Sequence, residues 1–173
     1  LISMTAQTEH ASVKRVRTEL ESHGVTTEIR HLSDTARTAV DAANVLEVEV
    51  GQIASSIVFK IDSDQGERPL LVVTSGRHRV DTAMVALALG VPKLGRADAD
   101  FVRLWSGFAI GGVSPIGWLH DGEVFQPQTI VDTALSDYAV VWGACGHTHV
   151  VCSLDFDSLL KITAGTALTV AAD

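Results

Sequence analysis

The chain has few of the features that mark secreted or membrane proteins. Its 173 residues include two cysteines and four prolines. No apolar run approaches the ~20 residues of a membrane-spanning helix, and the start LISMTAQTEH lacks the charged and apolar regions of a secretory signal. We therefore expect a cytoplasmic protein with reduced thiols and no membrane partner. Residues 1–3 are expected to be a cloning remnant before a single domain over residues 4–173, unless the chain is an internal fragment.

An excess of basic residues is also absent. The 13 Lys and Arg residues are outnumbered by 21 Asp and Glu residues, which gives a formal net charge of -8. Sequence-independent binding to DNA or other long nucleic acids usually leaves a basic footprint. The composition therefore argues against a DNA partner, although a local contact with the end of a nucleic acid is compatible with it. The hydrophobic fraction of 46% is enough for one core.

Helical and strand patterns alternate along the chain. Ser12 is expected to cap a first helix with Val13, Val16 and Leu20 on one face, and Thr38 to Asp41 resembles a capping box. Capping residues predict three later helices, over 81–89, over 99–105 and after Asp155. β-branched runs predict a hairpin of residues 57–61 with 70–74. They also predict four further strands, near 26–31, 128–131, 139–142 and 150–154. This mixture predicts an α+β domain, with a mixed β-sheet flanked by helices.

The segment CGHTHVVC, residues 145–152, contains a candidate metal site. Cys145, His147 and His149 alternate, so on a strand they would face one side, as metal ligands do. A fourth ligand is missing and Gly146 indicates a turn, so an ordinary hairpin is favoured and no metal is expected.

The stretch GFAIGGVSPIGW, residues 107–118, combines four glycines with Pro115. Glycines let backbone amides approach a ligand without an intervening side chain, and proline fixes one φ angle of the loop. The loop is thus suited to binding an ester through its backbone dipoles. The alternative is a tight turn between two strands. A Ser/His/Asp hydrolase is disfavoured, because Ser114 lacks a G-x-S-x-G context.

Four segments in this order resemble the YbaK/prolyl-tRNA-synthetase-associated editing domain family. They are TAVDAANVLEVEVGQIASSIVFK (38–60), LLVVTSGRHRVDTAMVALALG (70–90), GGVSP (111–115) followed by IG, and TIVD (129–132). The resemblance implies the mixed sheet with surrounding helices, and removal of wrongly attached amino acids from tRNA by a free-standing domain. It implies the acceptor end of an aminoacyl-tRNA as partner, with a synthetase as a further one, and no cofactor.

The resemblance also implies the site residues. The G-x-x-x-P loop would position the ester with its amides, while the terminal ribose hydroxyl and a water perform the hydrolysis; its residues are Gly111, Gly112, Val113, Ser114 and Pro115. Substrate contacts are expected from Ser55, Arg77, His78, Gly117, Asp132 and His149. Asp132 is expected to face the site and orient the amino group or a water, and His149 to line the site at the start of its strand. A small amino acid such as alanine or serine is expected, because a synthetase excludes a smaller amino acid poorly.

The chain departs from the family pattern at Ser55. Many members have a lysine there that is thought to bind the 3′-terminal nucleotide. Lys60 cannot replace it, since it lies on the opposite face of the strand and roughly 16 Å away. The anion contact is therefore expected to be weaker, or to come from Arg77 or Arg96. Two hypotheses remain: a trans-acting aminoacyl-tRNA deacylase, which is favoured, and a module that binds an aminoacyl-tRNA or an amino acid without hydrolysis.

Overall fold

A long antiparallel hairpin forms the centre of the sheet in the computed structural model, which describes residues 9–34 and 36–172. Its strands are β2 (Ile53–Ser63) and β3 (Gly66–Ser75), paired from Ala54 with Ser75 to Ser63 with Gly66. The strands are longer than predicted, because the polar stretch 62–69 continues the pairing and only residues 64 and 65 form the turn. The prediction for residues 1–3 lies outside the described residues.

Within the part of the chain that the structure describes, six further strands complete a mixed eight-stranded sheet. They are β1 (Ile29–His31), β4 (Gly95–Arg96), β7 (Gln128–Asp132), β8 (Val141–Ala144), β9 (Val150–Leu154) and β10 (Thr166–Leu168), and the order is β1-β9-β8-β2-β3-β7-β10 with β4 also on β2. A separate hairpin joins β5 (Trp118–His120) to β6 (Glu123–Phe125). The predicted α+β architecture is confirmed. The strands missing from the prediction have two or three residues, too few for a periodic signal.

Five α-helices of the described residues cover the sheet. They are α1 (Ala11–Ser22), α2 (Ala39–Leu46), α3 (Thr82–Leu89), α4 (Ala99–Ser106) and α5 (Phe156–Thr163). The predicted capping box at Thr38 and Asp41 is confirmed. The predicted cap at Ser12 is wrong: the helix begins at Ala11, two residues before the start that a Ser12 cap implies, and Nδ1 of its cap His10 accepts a hydrogen bond from the Ser12 amide at 3.1 Å. No helix in residues 9–34 and 36–172 is long and apolar enough to cross a membrane.

The core lies on both faces of the sheet. Leu71 and Val73 of β3 belong to the larger cluster with α1, α4 and α5, whereas Leu70 and Val72 pack with Val85 of α3 on the other face. A third cluster joins α2 to β2 and β8. Burial of both faces explains why β3 is an uninterrupted apolar run.

One edge of β2 contains a gap that positions the candidate site. On the edge opposite β3, β8 pairs with Ile53 and Ala54, and β4 pairs with Phe59 and Lys60. Within the described ranges, no strand pairs with residues 55–58 on this edge. We call this interruption of the sheet, bounded by β8 and β4, the sheet window.

Candidate functional site

A cavity of about 730 Å³ lies at the sheet window. Residues 53–59 of β2 line it, together with the segment before α2, the β4 region, the loop at 110–113 and the start of β9. Most lining residues are apolar or glycine; the polar ones are Arg37, Thr38, Ser55, Ser56, Thr82, Arg96 and His149. Its volume and its few polar groups are typical of a small-molecule site.

Four of the residues predicted for the site lie together on this cavity. Ser55 comes from the central strand, Gly111 and Val113 from the glycine loop, and His149 from the turn before β9. These residues are far apart in the sequence, and the fold brings them to one place. Their roles toward a substrate stay predictions.

The remaining loop residues are buried in the protein rather than exposed to the cavity. Ser114 is fully buried, its Oγ accepts a hydrogen bond from the Ile116 amide at 3.3 Å, and its carbonyl accepts one from Trp118 Nε1 at 2.7 Å. The carbonyl of Pro115 accepts a hydrogen bond from Gln126 Nε2, and that of Gly117 accepts one from Arg15 Nε. These contacts hold the loop in shape from behind.

The loop presents unpaired backbone amides at the cavity wall. Gly111 has φ of +92°, in the region that favours glycine, and the neighbouring Gly112 amide donates to the Ala109 carbonyl at 2.9 Å. Among the described residues, the amides of Gly111 and Val113 have no acceptor. Val113 is only 4% exposed, and buried amides are normally paired, so this donor is available to a bound molecule.

Gly112 is required by close packing inside the protein. A Cβ at this position would lie 2.9 Å from the Cα and carbonyl carbon of His147, in the turn between β8 and β9. The glycine loop and this turn are therefore pressed together at their backbones. That contact fixes Gly111 and Val113 relative to His149.

Gly112→Ala is expected to lower the free energy of unfolding by roughly 1–3 kcal/mol, because either the glycine loop or the turn at His147 must move to make room for the methyl group. Denaturant unfolding measures this loss. Gly95→Ala is the matched control, since its Cβ would meet Lys60 at an ordinary 3.5 Å. Equal stabilities of the two variants would contradict the packing role of Gly112.

Arg77 lies outside the cavity lining. Its guanidinium contacts Asp137 Oδ2 at 2.8 Å and the Tyr138 hydroxyl at 2.9 Å. These hydrogen bonds, first of all that of Asp137, raise the pKa of Arg77 further above its usual range. The side chain is thus already engaged by an anion of the protein itself.

Asp132 and His78 also lie away from the cavity, which corrects the expectation that Asp132 faces it. The Asp132 carboxylate is fully buried and accepts hydrogen bonds from the Ser75 and Ala134 amides, both at 2.9 Å, and from Thr74 Oγ1 at 3.2 Å. His78 Nδ1 lies 2.8 Å from Asp132 Oδ2. The physical reason is that the ends of β3 and β7 are adjacent, so the carboxylate binds the turn after β3.

His149 lines the cavity in an unusual backbone conformation. It precedes β9 rather than beginning it, and its φ of +66° is left-handed. Its carbonyl accepts a hydrogen bond from the Leu32 amide at 2.6 Å. Left-handed residues other than glycine are uncommon and concentrate at functional positions.

Cys145, His147 and His149, the candidate metal ligands of the sequence, do not form a metal site among the described residues. In the described ranges, no group of three His, Cys, Asp or Glu side chains is placed to hold a metal ion. Cys145 is buried beside Cys152, and the hydrogen bond between the thiols together with burial raises the pKa of Cys145. His147 instead stacks on His10 with ring centroids 4.0 Å apart.

Several polar residues of the cavity were not predicted from the sequence. Arg37 and Thr38 lie at the start of α2, where the pattern was interpreted only as a capping box. Ser56 lies beside Ser55 on β2, and Thr82 opens α3. Arg96 was considered only as one replacement for the family lysine. A two-residue strand such as β4 leaves no signal that could have placed it at the window.

Comparison with known proteins identifies the family of the chain. The family model for the aminoacyl-tRNA editing domain matches residues 33–162. The chain is 28% identical over 135 residues to uncharacterized protein YwhH of Bacillus subtilis, covering 78% of this chain and 80% of that one. It is 32% identical over 101 residues to the proline--tRNA ligase of Bacillus cytotoxicus, covering 58% of this chain but only 16% of the ligase.

A solved structure shares the whole fold. It is a crystal structure whose own description proposes a trans-editing enzyme for prolyl tRNA synthetase, and it superposes with a TM-score of 0.81 at 31% identity. The match covers 96% of this chain and 100% of that one. The chain belongs to the aminoacyl-tRNA editing domain family.

Proposed function

We propose that the protein is a trans-acting deacylase that hydrolyses a small mischarged amino acid, of the size of alanine or serine, from the acceptor end of a tRNA. One observation carries the proposal: the glycine loop, Ser55 and His149 meet at one cavity large enough for a terminal nucleoside with its aminoacyl group. The names of the matched relatives favour a tRNA for proline as the first substrate to test.

The unpaired amides of the glycine loop supply the main chemistry in this proposal. Hydrolysis of an ester places negative charge on the carbonyl oxygen in the transition state. Preorganised donors at that position are typically worth ~10²–10³ in rate each. The amides of Gly111 and Val113 are suited to this role, because they line the cavity and have no described acceptor.

No protein nucleophile is needed in this mechanism. Ser114, the hydroxyl within the loop, is fully buried and outside the cavity lining. A hydroxyl of the terminal ribose and a water molecule instead carry the proton transfers and the attack. The apolar walls around them exclude other water and strengthen the interaction of the amides with the developing charge.

A hydrolytic site separate from the site of aminoacylation can correct errors of a synthetase. An amino acid that lacks one methylene group loses only ~1–3 kcal/mol of binding free energy in a synthetase site. A synthetase therefore sometimes attaches a smaller amino acid to its tRNA. The editing site then acts on the smaller acyl group.

A second candidate function is favoured by Ser55. A serine offers no positive charge where many family members have lysine, so the protein could retain the cavity and bind an aminoacyl-tRNA or amino acid without hydrolysis. The two functions differ in turnover and not in the location of the binding site.

A deacylation assay against a panel of mischarged tRNAs tests the proposal. We expect release of alanine or serine from a tRNA for proline, with correctly charged prolyl-tRNA as the control that survives. Binding of a mischarged tRNA without hydrolysis of any would instead support the second candidate. Hydrolysis of the correctly charged tRNA at an equal rate would contradict an editing role.

A further inference from the structure

We infer that Arg96 provides the anion contact to the 3′-terminal nucleotide of the substrate that Ser55 cannot provide. This inference rests on the proposed function and extends it to a specific residue. Arg96 lies in β4, opposite Phe59 of β2, and lines the same cavity as Ser55. It borders the sheet window on the side away from β8.

The distance along β2 allows this replacement. Four residues separate Ser55 from Phe59, which corresponds to roughly 13 Å of strand. An extended arginine side chain spans roughly 7 Å from its Cα, and a lysine at position 55 would span roughly 6 Å. Because β4 lies a further ~4.8 Å to the side of β2, the two Cα atoms are roughly 14 Å apart, so the guanidinium of Arg96 can contact a phosphate bound between the two positions without reaching the place of the ammonium group itself.

Arg96 is also available for an external anion. It is exposed, and it forms no ion pair or side-chain hydrogen bond with any described residue. The nearest carboxylate along the chain, Asp98, caps α4 through the Phe101 amide at 2.8 Å. Arg77, the other replacement considered, is bound by Asp137 and lies outside the lining.

Arg37, across the cavity, is less available than Arg96. Its Nε lies 3.4 Å from the Asp34 carbonyl oxygen, and its backbone amide donates to Asp41 Oδ2 at 3.2 Å. A carboxylate therefore already lies near this residue and opposes binding of a second anion. In a chain with a net charge of -8, the guanidinium of Arg96 is the more favourable anchor for an anion.

The window next to Arg96 contains further unsatisfied polar groups. Gly76 donates to the Ile53 carbonyl across the hairpin at 2.7 Å, so by alternation Ser56 and Val58 direct their backbone groups into the window. The Ser56 hydroxyl is buried and has no partner among the described residues. A buried hydroxyl is normally paired, so a molecule bound in the window can also satisfy this one, from the face of β2 opposite to Phe59 and Arg96.

Arginine suits a phosphate at this place. Its planar guanidinium forms two parallel hydrogen bonds to a phosphate, and such charge-assisted bonds are stronger than neutral ones. The hydroxyl of Ser55 supplies only a neutral donor. The phosphate of the terminal nucleotide is thus expected at the β4 side of the window, with the aminoacyl group toward Gly111.

Two probes separate the phosphate contact from the rest of the ligand. They are the stable amide analogue of alanyl-adenosine, 3′-alanylamino-3′-deoxyadenosine, with and without a 5′-phosphate. We expect wild type to bind the phosphorylated probe more tightly. Arg96→Gln should lose about tenfold in affinity for this probe and leave the affinity for the unphosphorylated probe unchanged. Calorimetric titration measures all four affinities.

Arg103→Gln is the matched control, because Arg103 is exposed on α4 and outside the cavity. It removes the same charge nearby and should leave both affinities unchanged. Equal losses for both probes in Arg96→Gln, no loss, or no binding by wild type would overturn the inference. Wild type that shows the Arg96-dependent phosphate effect but hydrolyses no mischarged tRNA would support the contact and refute the deacylase proposal.

Discussion

Asp132→Ala is expected to lower the free energy of unfolding by about 3–5 kcal/mol, because it removes a fully buried carboxylate from the buried donors that bind it. The carboxylate is fully buried and accepts bonds from two backbone amides and one hydroxyl. Its removal leaves the Ser75 and Ala134 amides without this acceptor and takes one contact from His78, whose side chain is only 6% exposed. Denaturant unfolding followed by circular dichroism measures the loss.

Asp137→Ala is the matched control in the same region. Asp137 pairs with Arg77 at 2.8 Å, but neither side chain is buried: they are 56% and 32% exposed, respectively. Exposed pairs contribute about 0–1 kcal/mol, so this variant should remain close to wild type. An Asp132→Ala protein of wild-type stability would contradict the structural role. A folded Asp132→Ala protein with a strongly raised KM would support the substrate contact expected from the sequence.

The error over Asp132 shows what segment resemblance cannot provide. TIVD was placed near the site because the segment belongs to the family pattern, and this information fixes the strand but not the direction of its last side chain. The direction depends on the parallel pairing of β7 with β3, which brings Asp132 beside the turn at Ser75. Pairing of distant strands is not encoded in the local pattern of either one.

Local signals predicted the helices well. The Asp81, Asp98 and Asp155 side chains each accept a hydrogen bond from the third amide of their helix, as their positions before apolar runs indicated. Such caps depend on residues a few positions apart, so they are visible in the sequence. The sheet window is not, since it results from β8 and β4 each pairing with only two residues of β2.

The site was therefore predictable in part. Gly111 and Ser55 were placed together through the order of the four segments, and the cavity joins them. Arg96 could not be placed, because its proximity to Ser55 arises from β4. Likewise the close approach of Gly112 to His147 depends on loop packing and not on local pattern.

The effect of Ser55→Lys is expected to depend on Arg96. In the Arg96→Gln background, the new lysine should restore a charge-assisted contact to the terminal nucleotide. Such bonds are worth ~1.5–3 kcal/mol, so kcat/KM on the same mischarged tRNA should rise about ten- to hundredfold. In wild type, the guanidinium already occupies the anion site, and a second cation beside it should leave kcat/KM unchanged or lower it.

Steady-state deacylation by the four proteins of this cycle measures the dependence. Ser55→Gln is the control for size, since it lengthens the side chain at position 55 without adding charge, and it should restore nothing in the Arg96→Gln background. Equal gains from Ser55→Lys in both backgrounds would mean that the anion site is vacant in wild type and that Arg96 does not fill it. A gain in neither background, with both proteins folded, would mean that this chain holds the nucleotide without a cation at the sheet window.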